Sequence, residues 1–192
     1  MSFLNADSVI SIWDKYVLPD KKRIHVRLVA AVSMYISNLC MKQQHMKPIN
    51  TELLRIAALF HDIDKAVQKN PGERHPDTAV RIVQNEGFPE AAKIIQTHVV
   101  DSVLHSLTRP KTIEEKIVYL SDKMCVNEVI SVDERFERWM SEPIPEAAKK
   151  ELISCYPYAK DIEKEIFALA HTTARDIRDA MTEDVIARLS GV

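Results

Sequence analysis

The sequence predicts an all-α domain, and three observations carry that prediction. Apolar residues recur at helical spacing along almost all of its 192 residues. Glycine occurs only three times and aromatic residues make up 6%, a poor composition for a turn-rich all-β chain. Capping residues and prolines punctuate the periodic segments. A chain of 21.9 kDa is one ordinary domain, long enough to bury a core without disulfides.

The elements follow in order. Residues 5–17 place Val9, Ile10, Ile12, Trp13 and Tyr16 at helical offsets, and Pro19-Asp20 breaks the run. Asp20 can cap a second helix whose face holds His25, Leu28, Val29, Val32, Ile36 and Leu39, so His25 points toward the core. Asn50 or Thr51 can cap a third, largely buried helix that ends in His61-Asp62. Pro71-Gly72 marks a turn in the polar loop beyond it. Pro76 suits the start of a helix that stops at Gly87, and Pro89 opens another. Thr112 and Glu115 form a capping box for the helix carrying Asp122. Past about Val132 the chain turns dense in Glu and Arg, and two helices are expected to start at Pro145 and Pro157, the last running to about Leu189. The expected organisation is a single all-α domain over 1–192, with a core at 20–132 and a C-terminal helical extension at 133–192.

Composition narrows the function. Lys and Arg number 26 against 28 Asp and Glu, a net charge of −2, so bulk charge offers no footprint for nucleic acid. Cys40, Cys125 and Cys155 form no CxxC pair and suit buried thiols in a reducing compartment. The N-terminus has no basic segment before an apolar one, and Asp7 and Asp14 interrupt it, unlike a signal peptide. The longest apolar stretch, around LVAAVSMYI, falls short of the roughly 20 residues of a membrane helix. A cytoplasmic protein with no membrane and no nucleic-acid partner is expected.

The chemistry lies in His25, His61, Asp62, His75, His98 and Asp122. Each alone is an ordinary hydrogen-bonded histidine or aspartate. Together they differ, because His25, His61-Asp62 and Asp122 interrupt otherwise apolar helix faces, where an unpaired polar group is costly. The simplest partner common to several imidazoles and two carboxylates is a divalent cation. That ligand mixture suits Fe, Mn, Zn, Ni or Co and disfavours Ca.

The set resembles the HD-domain superfamily of metal-dependent phosphohydrolases, in which a His, a His-Asp doublet and a distant Asp surround a metal on helices. His25 precedes the doublet His61-Asp62 by 36 residues, and Asp122 follows it by 60. ALFHDIDKA is similar to the family's HDxxK core and YLSDKM to its second Asp segment, so the likeness covers about 20–132. It implies an HD-domain helical bundle. RHPDTAVRIV and IIQTHVVDS resemble the segments that supply two further histidines in binuclear members. The resemblance then assigns His25, His61, Asp62 and Asp122 to one metal, and His75 and His98 to a second, with Asp62 bridging. His45, His105 and His171 match no motif position, though His105 is near enough to His98 in sequence to line a pocket.

The family's activity implies a metal-activated water attacking a phosphoester, with one or two divalent ions as cofactor. Lys65, three residues after Asp62, is a phosphate clamp or transition-state stabiliser, or else an exposed lysine at a helix end. Asp62 and Lys65 are the candidate catalytic residues, and Lys65 and Arg109 the candidate substrate contacts. Arg135 and Arg138 are further candidates, although a solvated helix-face arginine is the commoner case. Asp64 stands where many relatives have Gly, and could pair with Lys65 or orient a ligating His. His98 is followed by Val99 rather than a second His, and no Gly-Tyr-Pro follows, unlike the cyclic-di-guanylate branch. The doublet also lacks the patterns of the alarmone hydrolases and of the HDxxE deoxynucleotide monophosphatases. The pattern is similar to small stand-alone bacterial HDxxK proteins, among them a symmetric diadenosine-tetraphosphate hydrolase group.

The substrate expected from this is a small phosphorylated molecule, a nucleotide by preference. The same ligands would also serve an HD-type di-iron oxygenase, or survive in a non-catalytic HD signalling module. Phe136, Trp139, Tyr156 and Tyr158 could stack on a base or fill core. The terminal helix could cover the site or make a homodimer contact.

Overall fold

The computed structural model describes residues 4–43 and 48–192, so His45 lies outside the described residues. Ten α-helices and no strand occur among them: α1 (Ala6–Lys15), α2 (Asp20–Met41), α3 (Thr51–Phe60), α4 (Asp77–Asn85), α5 (Pro89–Ile95), α6 (Ile113–Met124), α7 (Val132–Ser141), α8 (Glu146–Ala170), α9 (Ala174–Ala180) and α10 (Glu183–Ser190). A 3-10 turn spans Val100–Leu104, and Cys125 and Val129 share one isolated bridge.

Local sequence explains the starts. The Asn5 and Asn50 side chains accept from Ser8 and Leu53 N–H, and full capping boxes open α6 (Thr112, Glu115) and α7 (Ser131, Glu134). Asp20 is the first residue of α2 rather than its cap, which is Pro19. Pro76 likewise caps α4 from outside.

α2 is the hub, packed against α3, α6, α8 and α10. Its apolar run is longer than LVAAVSMYI suggests: an 18-residue window has mean hydropathy 1.4, enough by length and composition to cross a membrane. Most of that window, 61%, is buried inside the protein, as befits a central core helix. One apolar cluster runs from Val9 through Ile36, Leu54, Ile95 and Leu120 to Ile166 and Ile177, so the C-terminal helices share it with the residues before them.

Two expectations about the C-terminal part need correction. Pro157 does not open a helix but lies inside the 25-residue α8. A mid-helix proline withholds one N–H and crowds the carbonyl four residues back. That residue is Ile153, which is 60% exposed, so water can serve the freed carbonyl. The chain beyond is also not one helix to Leu189. It turns at His171, in the left-handed region at φ +49°, and again near Met181, giving α9 and α10.

Candidate metal centre

His25 projects from the second turn of α2 and Asp122 from the last turn of α6. His61 caps the C-terminus of α3, and Asp62 follows as the chain leaves the helix. His75 sits just ahead of α4 and His98 just beyond α5. The structure brings all six together, and His25, His61, Asp62 and His98 are each at most 8% exposed.

The rings are aimed. His61 Nδ1 donates to the Ala58 carbonyl at 2.8 Å, and His98 Nδ1 to the Ile95 carbonyl at 2.6 Å. His75 Nδ1 donates to Asp64, 3.0 and 3.1 Å from its two oxygens. A nitrogen facing a carbonyl or carboxylate oxygen carries the proton. In the neutral rings Nε2 is then a bare lone pair, and all three Nε2 atoms point inward. Asp64 thus orients a histidine, as one sequence reading held, and does not pair with Lys65. The loop before His75 is braced by Glu73, which accepts from Asn70, Thr78 and Arg81.

The donors form three overlapping groups, and two of them, His25–His61–Asp62 and Asp62–His75–His98, meet at Asp62, while His61–His98–Asp122 runs between them. On one side His25 Nε2 lies 3.1 Å from Asp122 Oδ1 and 3.3 Å from His61 Nε2, and both rings are 3.9 Å from Asp62 Oδ2. On the other, His75 Nε2 lies 3.0 Å from His98 Nε2 and 3.5 Å from Asp62 Oδ1. Ligands about 2.0–2.2 Å from a common cation stand roughly 3–3.5 Å apart. The close pairs match, and the 3.9 Å pairs need only a small inward movement. Two bare imidazole nitrogens at 3.0 Å beside a carboxylate repel one another unless a proton or a metal ion is shared between them. The residues present therefore fit a divalent metal at each of the two groups that meet at Asp62, with one carboxylate oxygen of Asp62 serving each.

Charge in the pocket agrees with this. Burial pushes the Asp62 carboxyl up, but His61, Lys65 and His98 outweigh it and hold the group well below the usual carboxylate range. Burial also opposes ionisation of Asp122, and Lys123, His25 and His61 overcome it in the same way. Burial lowers His25 despite Asp122, and lowers His98 further with the help of His61 and His75. Burial works to lower His61 too, yet Asp62 and Asp122 together raise it.

Lys65 Nζ lies 3.1 Å from Asp62 Oδ1 at the mouth of a 330 Å³ pocket over the centre. Three lining residues went unnoticed in the sequence. Lys22 Nζ donates to Asp62 Oδ2 at 2.7 Å. Its signal is its place one turn before His25 on the same helix face. Lys123 Nζ is buried and donates to the His98 carbonyl at 2.7 Å, tying α6 to the chain beyond α5. Asp101 lines the rim. Arg135 and Trp139 of α7 reach the same pocket, whereas Arg138 is paired with Glu128 outside it. Arg109 is not brought to the centre: its Nε donates to the Val103 carbonyl and its guanidinium lies over Tyr158. A second, 570 Å³ groove adjoins the first, sharing His75, Val99 and Asp101, and His105 lines it.

The HD-domain family model matches residues 23–127, more than half of the chain, and the match contains all six candidate ligands. The chain belongs to the HD-domain family, whose members are typically metal-dependent phosphohydrolases. Neither a curated protein nor a solved structure matches it. Lys22, Arg135 and Trp139 lie outside the matched segment.

Proposed function

We propose that the protein hydrolyses a nucleotide or another small phosphoester at a binuclear centre of divalent transition ions (Fe, Mn, Co, Ni or Zn), in the cytoplasm. The observation that carries this reading is the placement of Asp62, whose two oxygens face two separate sets of imidazole nitrogens. When bound, such ions supply a water activated near neutral pH and neutralise charge on phosphoryl oxygens.

The chain's own residues do the rest. Asp62, His25, His61 and Asp122 would hold one ion, and Asp62, His75 and His98 the other. Asp64 and the Ala58 and Ile95 carbonyls fix the rings, so the donor set is formed in advance. Lys65, at the mouth and 31% exposed, is placed to take a non-bridging phosphoryl oxygen and stabilise charge as it develops. Lys22 stands opposite it with the same chemistry. The adjoining 570 Å³ groove is large enough for an organic leaving group such as a nucleoside.

The test is phosphate or nucleotide release from mono-, di-, cyclic and dinucleoside phosphates with added Mn, Fe or Co, run beside Asp62→Ala. A substrate turned over by the wild type and lost in the variant supports the reading. A metal-loaded protein that releases nothing across the panel but consumes oxygen with a substrate would overturn it.

A further inference from the structure

Pocket charge and α7 together point to what the substrate carries beyond its reacting phosphate. The residues lining the metal pocket include four cations, Lys22, Lys65, Lys123 and Arg135, against the carboxylates of Asp62, Asp101 and Asp122. Lys22, Lys65 and Lys123 are engaged with Asp62, Asp122 or a carbonyl. Arg135 is not. Its Nε is buried without a hydrogen-bond partner, and among the described residues its guanidinium has no carboxylate partner. Arg138, on the same helix, pairs with Glu128, and Arg178 and Arg81 also hold carboxylates. Arg135 instead lies 4.5 Å over the Trp139 ring, a contact that fixes its plane while leaving its fork of donors free. A planar guanidinium so held matches the paired oxygens of a phosphate. Divalent ions at the centre would make the pocket more positive still, beyond what one phosphate neutralises.

We propose that Arg135, laid on Trp139 by α7, is a second anion-binding point in this pocket, selecting substrates with a further phosphate next to the one attacked. The substrate class is then a phosphoanhydride, such as a nucleoside di- or polyphosphate, rather than a simple monoester. This rests on the phosphohydrolase reading, but its test does not need turnover.

Manganese-loaded protein is titrated calorimetrically with methylenediphosphonate and with methylphosphonate, and its metal content is measured afterwards. The wild type should bind the diphosphonate roughly tenfold or more tighter, about what one charge-assisted bidentate contact contributes. Arg135→Gln should abolish most of that preference, leave methylphosphonate binding nearly unchanged and retain the metal. Arg135→Lys should restore part of it, because charge survives and the fork does not. Equal weakening of both anions, no weakening of either, or loss of metal from both variants would overturn the proposal. Phosphoester turnover without a diphosphonate preference would sink this inference alone. A diphosphonate preference with no phosphoester turnover would sink the hydrolase reading alone.

Discussion

At the scale of residues, the centre depends on which atom each side chain presents. Asp62 divides its oxygens between two groups, and Asp64 sets the face that His75 offers. Asp64→Asn keeps a hydrogen bond to the ring but removes the negative charge behind it. We expect the ion at His75 and His98 to bind about 10–100-fold more weakly while the other is retained, as outer-shell changes usually act. Titration of the variant with manganese checks this, and equal loss at both positions would count against the division. Lys65→Ala should leave metal content intact and lower turnover about 100-fold, the usual cost of removing one transition-state donor. Unchanged turnover would remove Lys65 from the mechanism. His25, His61, Asp62 and Asp122 were legible as polar residues interrupting apolar helix faces, whereas His75 and His98, outside their helices, were legible only through the resemblance. Lys22 was not, because Lys21, Lys22 and Arg23 are adjacent cations and only the fold shows which one reaches Asp62. The stacking of Arg109 on Tyr158 was equally invisible, because it joins residues 49 positions apart.

At the scale of elements, the turn from α1 to α2 shows a local compromise. Leu18 N–H reaches back to the Trp13 carbonyl at 2.9 Å and Val17 N–H to that of Asp14 at 3.1 Å, the double bond of a Schellman ending. That ending places Val17 at φ +53°, a left-handed conformation that a β-branched residue adopts only at a cost of about 1–2 kcal/mol. Its side chain is 70% exposed, so little packing is lost on removing it. Glycine relieves the strain but frees the unfolded chain, so Val17→Gly should gain about 0.5–1 kcal/mol net. Thermal unfolding checks it, and an unchanged or lower Tm would contradict the strain. The starts of α3 and α6 were legible because their capping chemistry lies within four residues. The continuity of α8 through Pro157 was not, since it depends on Ile153 facing solvent.

At the scale of the whole molecule, the C-terminal helices are part of one core, and through α7 they complete the mouth of the pocket. Sequence alone offered Arg135 as one of three candidate phosphate contacts and Trp139 as a possible stacking residue, but could not choose among them until α7 is set against the centre. Burial also governs how the metal-free protein responds to pH. His25 and His98 hold protons less readily when folded than the unfolded reference of 6.5. As pH falls through 6.5 the unfolded chain therefore binds those protons first, and stability declines. His61 is raised and acts in the opposite sense: its contribution is complete below 6.5 and is lost as pH rises through its folded value. With two groups against one and His98 displaced furthest, the metal-free Tm should be lower at about pH 5.5 than at about pH 7.5. The shift should be roughly 2–4 °C for each kcal/mol of net linkage, and smaller in His98→Gln. A Tm that rises on acidification would mean that His61 dominates.

The most direct measurement is the number of divalent ions bound per chain after manganese loading, in the wild type, His98→Ala and Asp62→Ala. We expect two ions in the wild type, one in His98→Ala and none in Asp62→Ala, because Asp62 serves both groups. One ion in the wild type, undiminished in His98→Ala, would contradict a centre built on two sets of ligands around one carboxylate.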